Sequence, residues 1–268
     1  MGAIKPWEEP FEPFRIIGNL FFVGNIPASS HVVDTGEGLL IFDVGYQSSL
    51  HLVIDGLYRL GLDPRDIRTI FITHGHIDHL GGAAALKKLT GARIALGEPD
   101  REYANGALDL TYAKELGLTF RETFEPDILL HDGDVFTFGK TKVRAVATPG
   151  HTPGAMSYIF NVRDGDTQYV AGLNGGIGIN TMCRKFLDAY GLSYSCRDDF
   201  FAAMDRLAEE KVDIFLGNHI GHNHTPEKYE RLKAGDRLAF VDPDEWSAYA
   251  LWAKQNLMNL IKREESAG

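Results

Sequence analysis

Hydrophobic residues along the chain form short runs in some regions and stripes of helical spacing in others. Runs at 14–24, 31–35 and 38–45 are rich in β-branched and aromatic residues and are broken by Gly, which predicts strands. The turn residues at 35–38 predict that the second and third of these strands form a hairpin. Beyond them the pattern alternates, with a helix at 48–61, a strand at 68–73, a helix at 83–89 and a strand at 92–96.

The second half of the chain repeats this mixture of strands and helices. Strands with Asp-Gly and Gly turns are predicted at 129–139, 142–150, 154–162, 167–172 and 213–219, and helices at 197–212 and 242–265. Two β-rich halves with helices between them predict two sheets packed face to face with helices outside, in one α/β domain over residues 1–268. Two long irregular stretches remain, 97–127 and 174–196, and long loops of this kind are often functional.

Composition and charge restrict the class of partner. The 268 residues are 44% hydrophobic and carry a formal net charge of −10, without a run of Lys and Arg that would form a nucleic-acid groove. No apolar run reaches the ~18 to 20 residues that span a bilayer. The N-terminus lacks the basic start and apolar run of a secretory signal, so we expect a cytoplasmic protein, although a chain with its signal removed would look the same. Cys183 and Cys196 are therefore expected to be reduced thiols, with a disulfide between them as the alternative.

The sequence THGHIDHLGG, residues 73–82, places four metal-binding side chains within six positions. It follows directly after a predicted strand, where alternate side chains point to one side, so His74 and His76 can share a cation. Asp78 and His79 come where the chain turns into a helix, and they face another direction. Imidazole and carboxylate groups are ligands that Zn²⁺ accepts, so the motif predicts a metal site rather than a histidine-rich surface loop.

Two later strand ends supply further imidazoles. His151 lies between two Pro-Gly-type turns after one predicted strand, and His219 follows another. His222 and His224 are alternatives to His219, or parts of a substrate wall, and His219 is preferred because it comes first after the strand. Ligands that converge from several strand ends predict a pocket at one edge of the sheets.

The stretch THGHIDHLGG resembles the HxHxDH signature of the metallo-β-lactamase superfamily. The resemblance extends over nearly the whole chain, through GLLIFDVG, TPGHTPG and IFLGNH. It implies a four-layer αββα sandwich with two metals at one edge. It also implies two ligand sets, one of His74, His76 and His151 and the other of Asp78, His79 and His219.

One difference from most of the superfamily points to a particular subclass. Gly172 and Leu173 stand where dinuclear members carry a bridging Asp at a Gly-Asp step, and Asn174 lies nearby. Subclass B3 metallo-β-lactamases lack this bridge, and the run at 61–96 also resembles theirs. Their polar serine stretch is here the glycine-rich GLNGGIGIN, residues 172–180, so the substrate could be another amide or ester.

The resemblance implies a zinc-dependent hydrolase in which a hydroxide shared by two Zn²⁺ ions attacks a carbonyl, with iron or manganese as alternatives to zinc. Asp78 would orient the hydroxide and pass a proton to the leaving nitrogen or oxygen. A cyclic amide such as a β-lactam is the first candidate substrate, and a lactone or thioester is the alternative. A non-hydrolytic metal or redox protein is the remaining possibility. We expect a small-molecule substrate and no nucleic-acid or membrane partner, and the oligomeric state is open.

Several other residues are candidates for supporting roles. Asp43 is expected either to hold a ligand histidine from outside the metal site or to cap a turn. His31 is expected either to line the mouth of the pocket or to be a structural histidine, and Asn174 and His222 are expected near the pocket. Aromatic residues on the two irregular stretches are expected either to wall the substrate site or simply to pack: Tyr103, Tyr112, Phe120, Phe124, Tyr190 and Tyr194.

Overall fold

The structure of the chain is a computed structural model that describes residues 5–267. Within them, the strands are β1 (Phe14–Ile17), β2 (Leu20–Phe22), β3 (His31–Asp34), β4 (Leu39–Phe42), β5 (Ile67–Phe71), β6 (Arg93–Gly97), β7 (Ile128–Leu130), β8 (Val135–Phe138), β9 (Thr141–Ala147), β10 (Met156–Asp164), β11 (Thr167–Leu173) and β12 (Ile214–Leu216). The α-helices in the same residues are α1 (Leu50–Arg59), α2 (Ile77–Leu80), α3 (Ala83–Thr90), α4 (Arg101–Ala104), α5 (Arg184–Tyr190), α6 (Cys196–Ala208), α7 (Thr225–Lys233) and α8 (Glu245–Ala267).

The strands form two sheets. β1 to β7 make a seven-stranded sheet in chain order, antiparallel from β1 to β4 and parallel from β4 to β7. The second sheet has five strands in the order β12-β11-β10-β9-β8, antiparallel except for the pair of β11 and β12. The hairpin predicted from the turn at 35–38 is confirmed as the antiparallel pair of β3 and β4.

Both faces of the first sheet are buried, and alternate residues of a strand serve different layers. Along β4, Leu40 and Phe42 face the second sheet, whereas Leu39 and Ile41 face the helices. Between the sheets, the ring of Phe42 stacks on Phe160 of β10 with 4.6 Å between centroids. The two sheets therefore share one core. The assignment of all residues 1–268 to a single domain stays a prediction.

Helices cover the outer faces of both sheets. Leu57 of α1 and Leu86 of α3 belong to the apolar cluster over the first sheet, and Phe200 of α6 and Trp246 of α8 to the cluster over the second. The resulting order of helix, sheet, sheet and helix confirms the predicted αββα sandwich. Among the helices of residues 5–267, none combines the length and the apolar character needed to cross a membrane.

Some elements differ from the hydrophobic pattern. The strand predicted at 14–24 is two strands, because the chain turns back at Gly18, which has a positive φ of 50°. The pattern at 129–139 also divides, since its central turn carries the chain from β7 in the first sheet to β8 in the second. The irregular stretches contain the short helices α4 and α5, and the pattern does not predict α7 because its sequence TPEKYERLK has few apolar residues.

Three strand ends that carry histidines meet at one edge of the sandwich. The histidine motif follows β5 of the first sheet, while His151 follows β9 and His219 follows β12 of the second sheet. Asp43 comes directly after β4, which lies parallel to β5, so its strand ends at the same edge. This edge holds the candidate functional site.

Candidate metal centre

The first cluster at this edge consists of His74, His76 and His151. One ligand nitrogen from each lies within 4.8 Å of the others, and all three side chains are buried. The ring centroids of His76 and His151 are 4.5 Å apart, and those of His74 and His151 are 4.7 Å apart. The structure therefore brings together the three histidines of the first implied ligand set.

Asp78, His79 and His219 form a second cluster beside the first. Asp78 and His79 lie on the single turn of α2, which begins directly after His76. The Oδ2 atom of Asp78 is 3.2 Å from Nε2 of His79 and 3.5 Å from Nε2 of His219. A nitrogen of His74 also lies within 4.8 Å of ligand atoms of Asp78 and His79, so the two clusters adjoin.

A chamber of about 260 Å³ opens onto both clusters and separates the three candidates for the last ligand. His219 and His222 line this chamber, whereas His224 lines a different cleft on the surface. His219 lies beside Asp78, and His222 reaches the cluster only through the ring of His219, 4.9 Å away between centroids. The geometry favours His219 as the last ligand and places His222 in the chamber wall.

The Asp43 side chain is linked by hydrogen bonds to one histidine of each cluster. Its Oδ2 atom accepts hydrogen bonds from Nδ1 of His79 at 2.8 Å and from the Thr73 hydroxyl at 2.7 Å, and its Oδ1 atom accepts the Thr73 N–H at 2.7 Å. Because the Thr73 hydroxyl donates to Asp43, Nδ1 of His74 can donate to Thr73 Oγ1, 3.1 Å away. One buried carboxylate thus orients a histidine in each cluster, directly on one side and through Thr73 on the other.

Backbone carbonyls hold two other histidines in the same manner. Nδ1 of His151 donates to the carbonyl of Gly178 at 2.6 Å, and Nδ1 of His219 donates to the carbonyl of Pro27 at 2.8 Å. A hydrogen bond at Nδ1 sets the tautomer and leaves Nε2 as the free ligand atom.

The Nε2 atoms of two histidines show whether the site suits a cation. Nε2 of His74 is buried without a hydrogen-bond partner among residues 5–267. Nε2 of His79 is also buried without a hydrogen bond among them, although Oδ2 of Asp78 lies 3.2 Å away as an ionic neighbour. A buried polar atom left without a partner costs about 1–3 kcal/mol. Two divalent cations, one at each cluster, would give both nitrogens a partner, and imidazole nitrogen and carboxylate oxygen are donors that zinc accepts.

Burial and neighbouring charges set the protonation of the clusters. Burial lowers the pKa of His74 and His76 well below its usual value and that of His151 to about 4, so these imidazoles are neutral. At His79 burial also acts to lower the pKa, but the nearby carboxylates of Asp78 and Asp43 outweigh this effect and raise the pKa to about 10. The first cluster can therefore bind a cation at neutral pH without losing protons, whereas binding at His79 releases one.

The glycine-rich segment after β11 allows the backbone to approach the first cluster. A Cβ atom on Gly176 would lie 2.7 Å from Cδ2 of His151 and 3.2 Å from Nδ1 of His74, and one on Gly178 would lie 2.6 Å from Cε1 of His151. Asn174 does not line the chamber, and its Oδ1 atom accepts the N–H of Gly176 at 2.9 Å. Packing against the histidines therefore requires the glycines that distinguish this segment.

The structure corrects the pocket role considered for His31. This side chain is buried within β3, is absent from the residues that line the chamber, and packs edge-on against Phe22 at 5.7 Å between centroids. Burial lowers its pKa to about 3, so it is a neutral structural histidine.

Cys183 and Cys196 are free thiols, as predicted.

Two of the six aromatic residues considered as substrate walls lie near the first cluster. The ring of Tyr112 lies 5.5 Å from that of His76 between centroids, and Tyr103 packs close to Gly75. The other four pack beside helices or bond to acidic side chains at the surface: Phe120, Phe124, Tyr190 and Tyr194.

The hydrophobic pattern and the motifs do not identify Asp100, although it belongs to the site. Its fully buried carboxylate accepts hydrogen bonds from the Thr152 hydroxyl at 2.6 Å and from the N–H of Gly154 at 2.7 Å. Asp100 follows β6, which lies parallel to β5, so the two strands end at the same edge. That adjacency of parallel strand ends is the signal that could have found it.

Comparisons with known proteins show the family and the fold of the chain. A family model described as the metallo-β-lactamase superfamily matches residues 23–164. The subclass B3 metallo-β-lactamase BJP-1 of Bradyrhizobium japonicum superposes with a TM-score of 0.87 and 30% identity over 98% of each chain. The FEZ-1 metallo-β-lactamase of Legionella gormanii superposes with a TM-score of 0.88 and 28% identity, covering 98% of this chain and 99% of that one.

Curated relatives match a shorter part of the chain. A hydroxyacylglutathione hydrolase of Brucella anthropi is 36% identical over 107 residues, 38% of this chain. The match spans about a third of the length of that relative, 34%. The family match covers more than half of the chain and the structural matches nearly all of it. The chain therefore belongs to the metallo-β-lactamase superfamily and shares the fold of its subclass B3 members.

Proposed function

We propose that this chain hydrolyses a small carbonyl compound with two divalent cations, most suitably zinc, held by the two clusters. The observation that carries the proposal is the buried Nε2 atom of His74, which has no hydrogen-bond partner among the described residues while its Nδ1 atom has one. Nε2 of His79 likewise makes no hydrogen bond among them and faces Oδ2 of Asp78 at 3.2 Å, while its Nδ1 atom is bonded to Asp43. When bound, such ions supply Lewis acidity and activate water near neutral pH. The proposed ligands are His74, His76 and His151 for one ion and Asp78, His79 and His219 for the other.

Asp78 is the residue that we propose for proton transfer. It lines the chamber, and although burial acts to raise its pKa, the imidazoles of His79 and His219 lower it overall. The side chain is therefore ionised at neutral pH. An ionised carboxylate at this place can orient a water molecule, accept its proton at Oδ2 and pass that proton to the leaving nitrogen or oxygen.

Two substrate classes follow from the relatives. The subclass B3 lactamases match nearly the whole chain, and Gly172 and Leu173 stand where a bridging Asp is expected in the other dinuclear members. Both observations support a cyclic amide as the first candidate. The hydroxyacylglutathione hydrolases, which match a shorter segment, support a thioester as the second candidate, with lactones as a related acyl substrate.

A matched pair of histidine variants tests the metal site. We expect His76→Ala to lose the zinc ion of the first cluster and to lower hydrolysis by more than the ~10- to 100-fold typical of residues that only support a ligand. His51→Ala is the control, because His51 is exposed on α1 and lies outside both clusters. Zinc per chain and turnover are measured on the same samples, and a His76→Ala protein that keeps both would exclude the scheme.

A substrate panel on the zinc-loaded protein tests the reaction. Nitrocefin represents cyclic amides, a homoserine lactone represents lactones, and lactoylglutathione represents thioesters. Faster hydrolysis of nitrocefin supports the first candidate, and faster hydrolysis of the thioester supports the second. Two zinc ions per chain support a hydrolase, whereas iron with no hydrolysis would point to a redox protein.

A further inference from the structure

A second cavity lies against the first histidine cluster and has a different character from the chamber. We name it the side pocket and define it by five apolar or aromatic residues that line it: Tyr103, Leu110, Phe186, Leu187 and Leu192. Its volume is about 250 Å³, and the two predicted irregular stretches supply these walls. For scale, a dry apolar cavity of about 150 Å³ accommodates a benzene ring.

The side pocket adjoins the proposed reaction site. His76 and His151 line both the side pocket and the chamber, so a molecule bound at these histidines can extend into either space. Asp78 lines the chamber and is absent from the residues that line the side pocket. The two spaces therefore leave the first cluster in different directions, one toward the proton-transferring residue and one away from it.

Tyr112 stands at the junction of the two spaces. Its ring centroid is 5.5 Å from that of His76 and 5.9 Å from that of Phe186, which belongs to the side pocket. Its backbone has a left-handed φ of 61°, a conformation that is strained for a bulky aromatic residue. The neighbouring carbonyl of Thr111 accepts the N–H of Ile77 at 2.9 Å, which ties this backbone to the histidine motif. The ring thus lies in the chamber wall, between His76 and the Phe186 ring of the side pocket.

The charges around the side pocket select the kind of group that it can accept. Among the described residues that line it there is no Lys or Arg, and its ionisable carboxylate belongs to Asp199. An anionic arm would lose its hydration there without gaining a cationic partner. An uncharged aliphatic or aryl group would instead gain the free energy of burying apolar surface.

We propose that the side pocket binds the acyl arm of the substrate and selects an uncharged apolar arm of roughly the size of a phenyl or hexanoyl group. This inference rests on the proposed hydrolase function. Because Asp78 delivers the proton to the leaving group, that group lies on the Asp78 side. The arm on the other side of the carbonyl is then directed past His76 and His151 into the side pocket. Hydrolysis adds water across the bond between the acyl carbon and the leaving atom, so the acyl carbon becomes a carboxylic acid and the leaving atom takes a proton. An open-chain ester or thioester then gives two products, whereas a cyclic amide or lactone gives one ring-opened product that carries both groups.

A series of p-nitrophenyl esters tests this selection on the zinc-loaded protein. The acetate, butyrate and hexanoate esters share a leaving group and differ only in the acyl arm. Each buried methylene contributes about fourfold to kcat/KM at ~0.8 kcal/mol per group. We expect kcat/KM to rise from acetate to hexanoate, and an equal rate for all three esters would overturn the proposal while leaving the hydrolase function intact.

Variants of the walls locate the effect. Leu192→Trp fills the side pocket and is expected to lower kcat/KM for the hexanoate ester by tenfold or more, and so to remove the rise in kcat/KM from the acetate to the hexanoate ester. Phe186→Ala enlarges the pocket and should move the preference toward longer arms. Leu89→Trp is the matched control, since Leu89 is 54% exposed and lies on α3, outside the side pocket.

Binding of a neutral probe to the metal-free protein separates this proposal from the proposed function. Hexanamide and acetamide carry the same carbonyl group, and calorimetric titration measures both without any turnover. Tighter binding of hexanamide that is lost in Leu192→Trp and kept in Leu89→Trp supports the side pocket even if no ester is hydrolysed. Equal binding of hexanamide by wild type and Leu192→Trp overturns it.

Discussion

The buried carboxylate of Asp100 accepts a hydrogen bond from the backbone N–H of Gly75 at 2.7 Å. Gly75 lies between two histidines of the first cluster, and the same carboxylate accepts hydrogen bonds from Thr152 and Gly154, which follow the third histidine. One side chain therefore joins the two loops that carry the cluster. Because ligand geometry tolerates little displacement, we regard Asp100 as a positioning residue of the metal site.

Replacing Asp100 by Ala should weaken metal binding. The two loops lose their common hydrogen-bond acceptor, and we expect about 10- to 100-fold lower zinc affinity, measured by competition with a chromophoric chelator. Asp127→Ala is the control, because Asp127 also accepts a backbone N–H, that of Ile94 at 2.8 Å, but does so at the opposite end of β6. Equal loss of affinity in both variants would show that Asp100 has no special role.

The same carboxylate predicts a pH dependence of stability. Burial raises the pKa of Asp100 from 3.8 to about 6, although three hydrogen bonds to the carboxylate act to lower it. The folded protein therefore keeps this proton at pH values where the unfolded chain has lost it. The stabilisation is fully present below about pH 4 and is lost as the pH rises through about 6, with a size of roughly 3 kcal/mol for two pKa units.

Asp100→Asn isolates this contribution, since its amide does not titrate. The free energy of unfolding of wild type minus that of D100N should fall between pH 4 and pH 7, in metal-free protein unfolded by urea. Other titrating groups are common to both proteins and cancel in the difference. A difference that stays constant over this range would contradict the raised pKa.

Asp43 should support the binding of both metal ions, and Thr73 the binding of one. Asp43→Asn disturbs the direct bond to His79 and the relay through Thr73 to His74, so we expect weaker binding of both ions. Thr73→Val removes only the relay to His74 and leaves the direct bond to His79. The ion of the first cluster should therefore be bound more weakly, while the ion of the second cluster is less affected. Titration with Co²⁺, followed by its visible absorption, counts the equivalents bound, and identical titrations for the two variants would disprove this division.

The chain's sequence predicts the elements and four of the candidate ligands because both depend on neighbours along the chain. The periodicity of apolar residues predicts the layers, and the motif at 73–82 holds its ligands within a few positions. The supporting contacts depend instead on which loops the fold brings together. Asp43 bonds to a histidine 36 positions away, and Asp100 to Gly154, 54 positions away. No local pattern encodes such pairs, so Asp43 has two interpretations from the sequence and Asp100 has none.

The choice among His219, His222 and His224 shows the same limit. All three follow one strand within a short stretch, and their order along the chain is a weak guide to direction. In the fold, His224 has a left-handed φ of 54° at the start of α7 and lines a different cleft from the chamber. Backbone geometry after the strand therefore separates His224 from the other two candidates.

The close approach of Gly176 to the first cluster gives a final prediction. In Gly176→Ala the new Cβ atom would lie 2.7 Å from Cδ2 of His151, so the backbone or the imidazole must move. Gly165→Ala is the matched control, because Gly165 also has a positive φ, but a Cβ atom there would have no atom of the described residues within 4 Å beyond its chain neighbours. Both substitutions place an L side chain at positive φ, which should cost about 1–2 kcal/mol of unfolding free energy at Gly165. The cost at Gly176 should be larger, because the new Cβ atom also meets His151. Only Gly176→Ala should also lower zinc affinity, because it alone displaces a ligand, and chelator competition on the folded proteins distinguishes this effect from lost stability. Unchanged zinc affinity in Gly176→Ala would mean that the segment is glycine-rich for a reason other than contact with the histidines.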